Sequence, residues 1–258
     1  METARLTSIP VSDPAPAARA RPGRMQPVRA LRLLARVLRD PRDTELVFEL
    51  FGAVGGDDGP RHFRDFLCAP DGPRLLRARS DLVAALADET TLARLPADSL
   101  GGAYLAAMRA RGFLPSSLLA IRDRVQADTA KEDAEHEWFY ERINVQHDLW
   151  HVLTGYGTDP LGEAALLAFS QAQIPNRSFA LLLAGAVLKG PRDGRLSWPR
   201  YLWRAYRRGC AARLLTAAPL EELLARPLAE LRRELGVGTP REWHPGGVWI
   251  GELADRRA

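Results

Sequence analysis

Cysteine is nearly missing: Cys68 and Cys210 are the two in 258 residues. They form no paired-cysteine motif, which excludes a disulfide scaffold and any thiol-built zinc or redox centre, and a reducing cytosol fits. Lysine is nearly missing too, since Lys131 and Lys189 are the lysines among 36 basic residues. Arginine is therefore the chain's general habit, and arginines near the N-terminus do not by themselves mark an organellar leader. Valine and isoleucine together number 17 against 39 leucines and 39 alanines, and no period-two run of useful length occurs, so sheet is disfavoured and helix favoured. Long apolar runs are absent as well. The longest candidate, Ser178 to Lys189, falls short of the roughly 20 residues that a membrane span needs. It reads as buried core, with the lining of an apolar cavity as the alternative. Solenoid-length repeats are also missing.

These absences leave an all-α protein with one multi-helix domain over residues 27–258, because no internal linker is visible. Pro10, Pro14, Pro16 and Pro22 make residues 1–26 a disordered lead without a secretory apolar stretch.

What the chain does have is His147-Asp148-Leu149-Trp150-His151, followed eleven residues later by Glu163. On a helix, positions three and four apart are neighbours, so His147, Asp148 and His151 share a side. Gly155-Tyr156-Gly157 supplies a helix exit, and Asp159-Pro160 supplies a cap and first turn that restart a helix through Glu163. In an antiparallel helical hairpin His151 and Glu163 lie about one turn from the same bend and can face each other. Imidazoles and carboxylates are ordinary ligands of zinc, iron and manganese, and helical proteins build metal sites from such facing side chains. A divalent metal held by His147, Asp148, His151 and Glu163 is expected, with zinc placed first.

The stretch from Arg142 to Phe169, RINVQHDLWHVLTGYGTDPLGEAALLAF, resembles the signature of the Coq-four family of ubiquinone (coenzyme Q) biosynthesis proteins. That family's metal motif is HDxxH, eleven residues, then E. Weaker likeness covers Leu95-Pro96 with Ser99-Leu100-Gly101 and Ala103-Tyr104, and Pro227 to Gly236. The resemblance implies oxidative removal of the C1 carboxyl from a polyprenylated hydroxybenzoate, a carboxy-lyase type of reaction that leaves a hydroxyl. The same four residues would then be catalytic. It also implies the alternative of a lipid-binding scaffold that gathers other ubiquinone-biosynthesis proteins at the membrane. Trp243, His244 and Trp249 match nothing in this pattern.

Hydrolysis is the third class. His147 to His151 copies the spacing of the H-E-x-x-H protease helix, but Asp148 stands where that motif needs a glutamate base. His136, about 16 Å up the same helix at 1.5 Å per residue, is too far for the same ion. Arg142 and Asn144 are candidates for supporting contacts to the ligands or to a substrate carboxylate.

Arg200, Arg204, Arg207 and Arg208 fall on one helix face with Trp203 and Tyr206, a pattern that suits anionic lipid headgroups or plain solvation. No nucleic-acid module accompanies it, so no nucleic acid is expected. The partners expected are a polyprenylated aromatic substrate, other ubiquinone-biosynthesis proteins and the inner face of the cytoplasmic membrane, and a homodimer is allowed.

Overall fold

The computed structural model describes residues 25–39, 44–54, 58–112, 134–189 and 198–238. The helix that Pro115-Ser116 predicts to about residue 128, the proline-rich lead up to residue 24 and the segment of Trp243 to Trp249 lie outside them.

The described residues are helical and contain no strand. Chain order runs α1 (Pro27–Val37), α2 (Thr44–Val54), α3 (Gly59–Cys68), α4 (Gly72–Ala78), α5 (Leu82–Ala87), α6 (Glu89–Leu92) and α7 (Leu100–Ala110). It continues through α8 (Ala134–Thr154), α9 (Pro160–Gln173), α10 (Arg177–Lys189), α11 (Trp198–Ala211), α12 (Leu220–Leu223) and α13 (Leu228–Glu234). A 3-10 turn, Leu215–Ala217, precedes α12.

Caps fix several of these starts. Ser99 accepts a hydrogen bond from Gly102 N at 3.1 Å, as its place before α7 predicts. Before α5 the cap is Asp81 and not Ser80: its carboxylate accepts from Ala84 N at 2.8 Å, so this helix starts at Leu82. The helix that Ser197 predicts to about residue 216 ends at Ala211, and the chain tightens into the 3-10 turn at Leu215.

The main core is built around α8 and α9. Leu149, Leu153, Ala165, Leu166 and Phe169 are fully buried in it, with Tyr104 and Leu105 from α7, Leu202 and Ala205 from α11, and Leu231 from α13. A second cluster joins α1 and α2 to Leu182 of α10. A third packs Phe63, Phe66 and Leu75 around Phe139 near the start of α8. Burial of these side chains supplies the driving force, at about 1.5–3 kcal/mol for each large one.

The two segments that carry the weaker family likeness lie side by side. An isolated bridge pairs Ser99 with Pro227, and Gly101 N donates to Leu224 O at 2.8 Å. A Cβ on Gly101 would press on Leu92, Leu95 and the Leu224 carbonyl, so the lack of a side chain suits the close approach of the two backbones.

α8 and α9 touch where His151 meets Glu163 and Trp150 meets Phe169. The longest face of α9 is laid along α11, with a Gly209 contact that a side chain would block at Phe169 O.

Candidate metal centre

The corner between α8 and α9 is set by local chemistry. Gly155 takes φ 73°, the left-handed conformation expected there, and its N–H closes α8 on His151 O at 2.8 Å. Asp159 Oδ1 then accepts from Leu161 N at 3.0 Å and Gly162 N at 3.2 Å, with Pro160 at the first helical position. Gly162 packs directly on the Gly157 backbone, where a Cβ would collide with the Gly157 carbonyl. Gly162→Ala is therefore expected to lower stability by about 1–3 kcal/mol, the usual range for overpacking, read from the urea midpoint of the folded chain.

At this corner His147, His151 and Glu163 converge. Their ligand atoms all lie within 4.8 Å of one another. His151 Nε2 stands 3.2 Å from His147 Nε2 and 3.3 Å from Glu163 Oε1, while His147 Nε2 stands 3.7 Å from Glu163 Oε2. Ligand atoms at the corners of a tetrahedron around zinc, at ordinary bond lengths, are about 3.3 Å apart. The two edges at His151, 3.2 and 3.3 Å, fit that figure, so the donor set suits a small divalent cation.

Orientation is fixed from behind. His151 is buried, and its Nδ1–H donates to Tyr156 O at 3.0 Å, which directs Nε2 at His147 and Glu163. Around Glu163, desolvation works against the carboxylate, but the charge of His151 and hydrogen bonds from both imidazoles outweigh it and hold its pKa well below the usual carboxylate range. For His147 desolvation lowers the pKa, while the hydrogen bond and charge of Glu163, with Asp148, prevail and raise it. His147 and the Glu163 carboxylate thus favour the charged form of each other.

Asp148 is placed differently. Its carboxylate accepts from Arg111 Nη1 at 3.1 Å, and it is not among the three converging residues. Arg111 follows the end of α7 and carries no local motif, so sequence spacing gave no sign of it. Tyr156 acts through its backbone carbonyl and left no sign either.

Arg142 does not support the ligands. Arg142 is buried and forms a two-armed pair with Glu221, at 3.0 and 2.8 Å, plus a bond to Ala218 O at 2.7 Å, on the α12 side of the helix. Asn144 is exposed. His136 packs at a tilt against Phe63, with ring centres 4.2 Å apart, away from the site as its spacing requires.

The family model for the Coenzyme Q (ubiquinone) biosynthesis protein Coq4 matches residues 30–241. The chain belongs to the Coq4 family. Among its relatives are ubiquinone biosynthesis proteins described as mitochondrial. One from Talaromyces stipitatus is 31% identical over 79% of this chain and 69% of its own length. Another, from Talaromyces marneffei, is 32% identical over 74% of this chain and 66% of its own length. That from Meyerozyma guilliermondii is 28% identical, over 55% of its own length. A crystal structure from Nostoc punctiforme, described as a ubiquinone biosynthesis protein, shares the fold. It superposes with a TM-score of 0.59 over 83% of this chain and all of that one, at 22% identity. Among the described residues of this Coq4-family protein, no helix is long and apolar enough to cross a membrane.

The arginine face of α11 needs one correction. Arg200, Arg204 and Arg207 are exposed, as is Trp203 at 57%, stacked on Tyr206. Arg208 is 4% exposed and points inward, because its guanidinium donates to Thr154 O and Val237 O.

Proposed function

We propose that this protein performs a metal-dependent oxidative decarboxylation in ubiquinone biosynthesis. The C1 carboxylate of a polyprenylated hydroxybenzoate is lost and a hydroxyl takes its place. The observation that carries this reading is the convergence of His147, His151 and Glu163, with ligand atoms within 4.8 Å of one another, beside a carboxylate and a guanidinium.

In the proposed site His147, His151 and Glu163 hold the ion, and Asp148 joins them by turning away from Arg111. That turn would free the Arg111 guanidinium to receive the substrate carboxylate, a geometry to which a forked cation is well suited. When bound, a zinc, iron or manganese ion supplies Lewis acidity to a coordinated oxygen. In balance, the ring carboxylate and one water give the ring hydroxyl, carbon dioxide and one proton. Two electrons pass to an acceptor, either dioxygen or an external carrier. Leucine- and alanine-rich α9 and α10 would accompany the prenyl tail, consistent with the exposure of Val187 and Leu188 on α10.

Glu163→Gln tests the proposal. The variant should fold, lose roughly 10-fold or more in metal affinity, and cease to convert the carboxylated precursor, followed by mass spectrometry of the quinone-ring product. A wild type that converts none of the precursor would sink the enzyme reading. It would leave the scaffold reading, which the exposed Arg200, Arg204, Arg207 and Trp203 favour as a membrane-facing surface.

A further inference from the structure

We infer that Arg208 and Arg232 are positioning residues for the metal centre: together they bind the terminal carbonyls of the ligand-bearing helix and thereby set the direction of His151. The inference rests on the metal reading of His147, His151 and Glu163.

The last carbonyls of an α-helix have no partner within it and must be satisfied from outside. In α8, whose final turn carries His151, two buried arginines from elsewhere in the chain do this. Arg232 of α13 donates from Nη2 to Val152 O at 2.8 Å and from Nε to Leu153 O at 2.9 Å. Arg208 of α11 donates from Nη2 to Thr154 O at 2.9 Å and from Nε to Val237 O at 2.8 Å. Three successive carbonyls, 152 to 154, are thus held by two guanidiniums at the negative end of the helix dipole.

Arg208 reaches one step further. Its guanidinium lies over the Tyr156 ring, 4.9 Å from the ring centre, and Tyr156 is buried. The carbonyl of that same Tyr156 accepts from His151 Nδ1–H at 3.0 Å. Tyr156 is therefore pinned by its ring from Arg208 and presents its carbonyl to the ligand. Partners that fix the second nitrogen of a metal-binding histidine commonly govern affinity by about 10–100-fold. Burying two cations is costly, and Arg232 is pushed down to about 9 by desolvation and then by the charge of Arg208. Gly155 already closes the helix on His151 O, so the two arginines hold the carbonyls that the glycine turn leaves over.

The test compares Arg208→Lys with Arg142→Lys. Arg142 is an equally buried arginine on α8 itself, but its partners, Glu221 and Ala218 O, do not reach the centre. Cobalt(II) and zinc affinities are measured by competition with a chromophoric chelator, on protein shown folded by its denaturant midpoint. The tautomer of His151 is read by nitrogen-15 NMR of the metal-free protein. Arg208→Lys is expected to weaken metal binding by about 10–100-fold and to give a mixed His151 tautomer. Arg142→Lys is expected to lose stability while keeping wild-type affinity and a single Nδ1–H tautomer.

If Arg208→Lys fails to fold, Arg232→Lys carries the same expectation. A wild type that binds cobalt beside an Arg208→Lys protein of equal affinity overturns the inference alone. Equal loss in both arginine variants also overturns it, since that is general loosening. No cobalt bound by the wild type overturns the metal reading and the inference with it.

Discussion

His151→Ala is expected to weaken zinc or cobalt binding by more than about 100-fold, beyond the range seen when only a supporting partner of a ligand is removed. His151 is the one ligand of the three that is fully buried, at 1%, whereas His147 and Glu163 are about half exposed. It is also the only one whose nitrogen is within 3.3 Å of both other donors. Its loss leaves two solvent-bathed ligands and an unsatisfied Tyr156 carbonyl. Dialysis against a defined free zinc concentration, followed by elemental analysis, checks the loss. The same protein, followed by circular dichroism, should stay helical, because α8 and α9 are held by Leu149, Leu153, Leu166 and Phe169 and not by the ligands. Metal retained at wild-type stoichiometry would remove His151 from the centre.

Glu221→Ala is expected to destabilise the fold by about 3–5 kcal/mol, the range for stripping one partner from a buried ion pair. Arg142 is 2% exposed and Glu221 11%, with two N–H···O contacts between them. The variant leaves a guanidinium buried between α8 and α12 with its carboxylate gone. Urea denaturation gives the size of the loss. The double variant Arg142→Met with Glu221→Leu should recover much of it, since a well-packed apolar pair often matches or exceeds a buried salt bridge. A single variant within 1 kcal/mol of wild type, on the order set for surface pairs, would show that the pair is solvated.

How much of this was legible before the structure follows from range. Helix starts with a local cap, such as Ser99 before α7 and the Asp159-Pro160 pair of α9, are written in four or five adjacent residues and were found where expected. The spacing of His147, His151 and Glu163 belongs to the same local grammar. What stayed hidden acts across long separations or through the backbone. Arg111 meets Asp148 from 37 residues away. Arg142 meets Glu221 from 79 residues away, which is why its nearness in sequence to the ligands misled. Arg208 was the hardest to place: on a helix with Arg200, Arg204 and Arg207 it reads as one more surface charge. Its burial is decided by the helix end of α8, 54 residues earlier in the chain. No pattern within α11 distinguishes it.

The Asp159 cap has a kinetic corollary. Glu163 rides on the first turn of α9, which unwinds easily in most helices but is here tied by two bonds to Asp159 Oδ1. An ion at the corner could escape most readily when that turn frays and carries Glu163 off. The carboxylate that never touches the cation would then act as its latch, governing residence time more than occupancy at equilibrium.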